Sequence, residues 1–307
     1  MKVPHPIQYQ GSKRNLASII LRYFPDKFKR LVEPFAGSAA ISIACAAREK
    51  AISYWINDLN KPLANLLELI INNPNEVADF YENIWNQQHQ NSLEHYYRVR
   101  EEFNTTNDPK LLLYLLSRCV KGSVRYNTDG RFNQSPDKRR RGKRPESMRE
   151  QLLGFSYLLR GKSITTSFDY KNVLSHVNKD DIVYMDPPYQ GVCGEKDLRY
   201  FSSISHNEYI TALIELNDRQ IRYLVSYDGR SGNKSYGKIL PDTLSLTLIE
   251  LEAGRSTQAT LLGRDVVTVE SLYLSPHLAV EVSALPSFHK RRSNQQMLLM
   301  EPQDFFG

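Results

Sequence analysis

Apolar positions along the chain follow two rhythms. Short runs of β-favouring residues that close on a polar or acidic residue read as buried strands of an α/β sheet. Such runs are Leu31-Val32 into Glu33, Tyr54-Trp55-Ile56 into Asn57-Asp58, Ser163 to Asp169, Ile182-Val183-Tyr184-Met185 into Asp186, and Arg222 to Asp228. Between them apolar residues recur at helical spacing: Leu16, Ile19, Ile20 and Tyr23, then Leu63, Leu66, Leu67, Ile70 and Ile71. Val173 to Val177 predicts a short helix and His206 to Asn217 a longer one, with a loop over Gly191 to Ser203. Leu244–Glu252 and Val266–Ser275 alternate apolar with polar and predict an antiparallel pair at one sheet edge. From about Ala284 the chain turns polar and basic, which predicts a loosely held tail over 284–307.

One stretch breaks this rhythm. Residues 61–160 are rich in tyrosine and amides and become increasingly basic. Asp129-Gly130 predicts a hairpin within Arg125 to Asn133. Lys138-Arg139-Arg140-Arg141-Gly142-Lys143-Arg144 follows it. Arg125, Tyr126, Asn127, Arg131, Asn133, Lys138, Arg139, Arg140, Arg141, Lys143 and Arg144 are residue types that meet phosphates and base edges, so they are the candidate DNA contacts. A solvated charged loop is the bland alternative. The formal charge of +6 and pI near 9.0 favour the polyanionic partner.

Other classes recede. The 307 residues, 41% hydrophobic and 24% charged, have the composition of a globular protein with room for one core and a sizeable insertion. Runs such as Leu111 to Leu116 are too short to cross a bilayer, and Met1 to Pro6 lacks the apolar stretch of a signal peptide. Cys45, Cys119 and Cys193 are scattered, and the seven histidines lack ligand spacing, so no disulfide framework and no metal is expected. A cytoplasmic protein is the expectation.

The candidate chemistry lies at strand ends, where open α/β sheets bind ligands. Asp186-Pro187-Pro188-Tyr189 follows an apolar run; two prolines stiffen the turn and remove two backbone donors. A carboxylate, carbonyl oxygens and the Tyr189 ring suit a planar ring bearing an amine. Glu33-Pro34-Phe35-Ala36-Gly37 has only one glycine, unlike the dinucleotide fingerprint, which argues against a pyrophosphate ligand. Glu33 can pair with a cationic amino group. Asp58 lies about twenty residues beyond Gly37, the interval at which such folds place a carboxylate on ribose hydroxyls. Gly11-Ser12-Lys13 reads as a turn able to hold an anionic group.

Taken in chain order, Glu33-Pro-Phe-Ala-Gly37, Asp58 and Asp186-Pro-Pro-Tyr189 resemble the DNA adenine methylase (Dam-like, D12 class, group alpha) family of N6-adenine methyltransferases. Tyr9-Gln-Gly-Ser-Lys13 looks like the family's cofactor motif, with Tyr9 and Ser12 where Trp and a second Gly are usual. Arg125-Tyr-Asn127 with Gly130 and Phe132-Asn133 matches its recognition hairpin, and Gly263-Arg264 with Glu270-Ser271-Leu272 its closing motif. Ser167-Phe168 stands where Asp-Phe is usual.

The resemblance implies a Rossmann-like sheet, mostly parallel with an antiparallel edge strand, plus an inserted, mainly helical target-recognition domain. The catalytic core would be 1–60 and 161–283, and the insert 61–160. It implies S-adenosylmethionine as cofactor, held by Tyr9, Gly11, Lys13, Glu33, Phe35, Gly37, Asp58, Phe168 and Asp186, with Asp186, Pro187, Pro188 and Tyr189 catalytic. Implied partners are double-stranded DNA and a restriction endonuclease encoded nearby, for a monomer or weak dimer of bacterial or phage origin. Methyl transfer to RNA or a protein amide, and a silent DNA-binding protein on this scaffold, remain as alternatives.

Overall fold

The computed structural model describes residues 3–89, 91–188, 204–231, 234–236, 240–255 and 267–284. Tyr189, the predicted loop over 191–203, Gly263-Arg264 and the tail beyond Ala284 lie outside them.

Five parallel strands form most of one sheet: β1 (Phe28–Glu33), β2 (Ala51–Asn57), β3 (Ser163–Thr166), β4 (Asp181–Met185) and β5 (Arg222–Ser231). Two antiparallel strands, β7 (Thr247–Arg255) and β8 (Val267–Leu274), complete the order β3-β2-β1-β4-β5-β8-β7, and short β6 (Lys234–Tyr236) pairs with β5. The order reverses between β1 and β4, so their carboxyl ends diverge and leave a crevice.

Period-two alternation sends side chains to two cores. Leu31, Tyr54, Ile56, Ile182, Tyr184 and Leu224 face helices α1 (Ala17–Ile20), α2 (Ala40–Ala46) and α3 (Lys61–Asn72). Val32, Trp55, Val183, Met185, Tyr223 and Val225 face α8 (Tyr170–Ser175) and α9 (His206–Asp218).

Between β2 and β3 the chain makes five helices: α3, α4 (Pro74–Gln87), α5 (Ser92–Thr106), α6 (Pro109–Arg118) and α7 (Pro145–Leu159). The insert is thus mainly helical, and its outer members share the sheet's core: α3 packs on β3 and α7 on α2. Three local expectations change. The helix expected through Leu16 to Tyr23 is one α turn flanked by 3₁₀ turns, because Phe24 goes extended ahead of Pro25. The strand expected to reach Asp169 stops at Thr166, where a side chain from β2 takes over the backbone hydrogen bonding. The strand expected from Leu244 begins at Thr247, after a 3₁₀ turn and Ser245 at φ +51°.

Candidate active site and cofactor pocket

The crevice between β1 and β4 opens into a cavity lined by the cofactor-type motif, both strand ends and the turn after β3. Sequence-distant candidates meet there: Tyr9, Gly11, Lys13, Glu33, Phe35, Gly37, Asp58, Phe168, Asp186, Pro187 and Pro188 all line it.

Each is placed by a local reason. Gly37 turns the chain out of β1 at φ +52°, and a Cβ there would lie 3.0 Å from the Tyr9 ring. Glycine is therefore required both by backbone conformation and by close approach. Its N–H donates to Asp58 Oδ2 at 2.8 Å, while Asn60 N–H donates to Oδ1 at 2.9 Å. Two backbone donors thus orient one carboxylate at the end of β2. Ser12 and Ser38 hydroxyls meet at 2.8 Å, tying the N-terminal turn to the loop before α2.

Glu33 sits at 2% exposure, and its Oε2 accepts from Ser42 N–H at 2.8 Å in the first turn of α2. Burial pushes its carboxyl up to about 7, against the pull of the hydrogen bonds from Ser42. This residue anchors the helix start as well as lining the cavity.

Lys13 departs most from expectation. Its ammonium is buried and faces inward, donating to Asp186 Oδ1 at 2.9 Å, with Glu270 Oε2 at 3.5 Å. No external anion is needed to explain its charge. Burial opposes that charge, but the two carboxylates outweigh it and hold Lys13 well above the ordinary lysine range.

Asn57 is a functional residue the sequence reading passed over. Fully buried, it donates to Pro34 O at 3.0 Å and Phe168 O at 2.9 Å. It accepts from Phe168 N–H and from the Thr166 hydroxyl, both at 2.8 Å. One amide therefore ties together the exits of β1, β2 and β3 and leaves the Phe168 ring about half exposed at the rim. Ser167, in place of the usual acid, donates its hydroxyl to Leu59 O at 3.2 Å and braces the same loop.

The expected DNA contacts divide. The hairpin turn forms, closed by Asn127 N–H to Arg131 O and Asn133 N–H to Arg125 O, both at 2.9 Å. Arg125 and Arg131 are exposed, the latter paired with Glu101. Tyr126 is a correction: its ring is buried against Phe132, and its hydroxyl exchanges hydrogen bonds with the Asn60 amide. The Asn127 side chain is used inside the turn, accepting from Asp129 and Arg131 N–H, and Asn133 is half-buried.

Lys138, Arg139, Arg140, Arg141 and Arg144 point outward, whereas Lys143 is half-buried and donates to His5 O at 2.9 Å. The backbone of this basic run is bolted to the helices beneath. The Tyr81 hydroxyl donates to Lys143 O at 2.6 Å, and Gln88 Nε2 to Arg141 O at 3.2 Å. Lys143 N–H donates to Ser117 Oγ at 2.9 Å, and Asp137 N–H to Arg118 O at 2.8 Å.

The model of the D12 class N6 adenine-specific DNA methyltransferase family matches residues 9–256, which include every cavity motif described above. The chain belongs to that family. The DNA adenine methylase of Haemophilus influenzae is 26% identical over 207 residues, which is 66% of this chain and 68% of that protein. The modification methylase StsI of Streptococcus sanguinis is 29% identical over 240 residues, 73% of this chain and 35% of that protein. The DNA adenine methylase of Salmonella typhi is 30% identical over 187 residues, 60% of this chain and 64% of that protein. The matched part of the chain thus spans from about a third to about two thirds of these relatives. A methyltransferase of this family implies a methyl donor and a DNA substrate. Among the described residues no helix is long and apolar enough to cross a membrane, and no group of His, Cys, Asp and Glu could hold a metal ion.

Proposed function

We propose that this protein transfers a methyl group from S-adenosylmethionine to N6 of a flipped-out adenine in duplex DNA. The observation that carries the reading is that Asp186 and Pro187 share one cavity with Gly37, Asp58 and Phe168. The cofactor fits this donor set. Gly37 leaves a floor that a Cβ would fill, Asp58 presents an oriented carboxylate to hydroxyl groups, and the half-exposed Phe168 ring offers a face to a base. When bound, the cofactor supplies an electrophilic methyl group on a sulfonium.

The chain's own residues act on the amine. The N6 lone pair of adenine is delocalised into the ring and is a poor nucleophile. The Asp186 carboxylate and the Pro187 carbonyl accept its two N–H bonds and draw the nitrogen toward tetrahedral geometry. Lys13 keeps Asp186 ionised, so it is an acceptor only. Once methylated, the nitrogen must shed a proton, and the Asp186 carboxylate is the adjoining base. Positioning and electrostatics supply the rate, with no covalent enzyme intermediate. Removing the base from the duplex costs a few kcal/mol, which stacking on Tyr189 would partly offset.

We assign residues 61–160 to DNA recognition and duplex DNA to the face bearing Arg125, Arg131 and the basic run. A cytoplasmic site of action and a cognate restriction endonuclease belong to the same proposal; StsI and the type II methyltransferase M1.LlaDCHI of Lactococcus lactis carry names of modification systems. Substituting Lys138, Arg139, Arg140, Arg141 and Arg144 with alanine together should flatten the salt dependence of binding. Each lost phosphate contact removes roughly 0.9 log unit per tenfold change in salt. An unchanged slope in a gel-shift titration would return the run to a solvated face.

The deciding experiment is transfer of labelled methyl from S-adenosylmethionine to unmethylated duplex DNA, with digestion to nucleosides. Label in N6-methyladenine is the expected result. Label in RNA or protein only, or none with cofactor bound, would overturn the substrate, and absence of cofactor binding would overturn the enzyme.

A further inference from the structure

Five carboxylates line the cavity, and four have local tasks. Glu33 anchors α2 and Asp58 accepts two backbone N–H bonds. Asp169 caps α8 through Lys171 N–H at 2.9 Å, and Glu208 pairs with Lys171 at 3.1 Å. The fifth, Asp186, shares Lys13 with a carboxylate that does not line the cavity. That sixth group, Glu270, stands on β8 and is about one-quarter exposed. Opposite it, β5 shifts register between Ser226 and Gly229. Such irregularities bend a strand and re-aim its neighbours, often beside active sites.

One ammonium between two carboxylates does not neutralise them. Lys13 is too deeply buried for water to screen the trio well, so a residual charge there is felt across the cavity. We propose that Glu270 is a positioning residue for methyl transfer: it shares Lys13 with Asp186 and leaves the trio one negative charge in excess, favouring a cationic sulfonium over the neutral thioether left after transfer. The inference rests on the cofactor reading above. It gives the site a means to exchange product for fresh cofactor, since transfer itself removes the positive charge that the trio attracts.

Calorimetric titration with S-adenosylmethionine and with S-adenosylhomocysteine tests it. Glu270→Gln should lower the ratio of the two affinities on the order of three- to tenfold, chiefly by weakening the sulfonium form. Glu270→Asp, which keeps the charge, should retain most of the ratio. Equal weakening of both ligands by Glu270→Gln would mark a merely structural role and overturn the inference, as would an unchanged ratio. Should Glu270→Gln fail to fold, a collapse of the ratio in folded Glu270→Asp would equally overturn it. Wild-type protein that binds neither ligand would sink the cofactor reading itself.

Discussion

Asp186→Ala should lower the methyl-transfer rate by roughly 10²- to 10³-fold while leaving DNA binding in place. The carboxylate is one of two oxygens positioned for the amine, and the only one in the described site held beside a buried ammonium. Losing it removes an acceptor, a base and half of the pairing of Lys13 at once. The last loss also touches stability. Lys13 would keep only the longer contact to Glu270, at 3.5 Å, so about 1–3 kcal/mol should be lost as well. Asp186→Asn separates the effects, because it preserves shape and one acceptor oxygen but carries no charge and cannot take a proton at neutral pH. Its rate should also fall steeply, with a smaller change in thermal midpoint. Near-normal turnover in the alanine variant, by labelled methyl transfer, would remove Asp186 from the catalytic assignment.

Asn57→Ala is expected to have the largest effect on stability in the pocket region. The four hydrogen bonds of this buried amide hold the exits of three strands, and the alanine leaves their partners without them. A buried group left unsatisfied costs about 1–3 kcal/mol, and coupled losses do not simply add, so a decrease of about 3–5 kcal/mol is expected. Since the amide fixes the Phe168 backbone, cofactor affinity should fall as well, even under conditions where the variant stays folded. Chemical denaturation and cofactor titration on the same preparation check both. A loss under about 1 kcal/mol would mean that the Thr166–Phe168 segment is held by other contacts, chiefly the Ser167 hydroxyl on Leu59.

Much of this was legible along the chain because it depends on local periodicity. Ile182 to Met185 read as a buried strand and form β4 with every residue buried. The stripe from Leu63 to Ile71 read as a helix and forms α3. Gly37, Asp58 and Asp186 were visible as strand-end residues, and all three line one cavity. The basic run was visible as charge, but which of its members face outward was not. Lys143 and Tyr126 look like neighbours of the other contacts in sequence, yet the turn geometry directs them inward onto His5 and Asn60.

The sequence by itself determined the strands, their acidic or polar ends and the order of motifs that marks the family, since each is written in residues a few positions apart. The tertiary structure alone decided who meets whom at those ends. Lys13 and Asp186 are 173 residues apart and touch only because β1 and β4 lie side by side where the strand order reverses. Asn57 has ordinary strand-end chemistry until β3 docks beside β2 and brings the Phe168 backbone within reach of its amide. Periodicity says which face of a strand is buried, but not which strand lies next to it. The partners of a buried charge or amide are set by that adjacency.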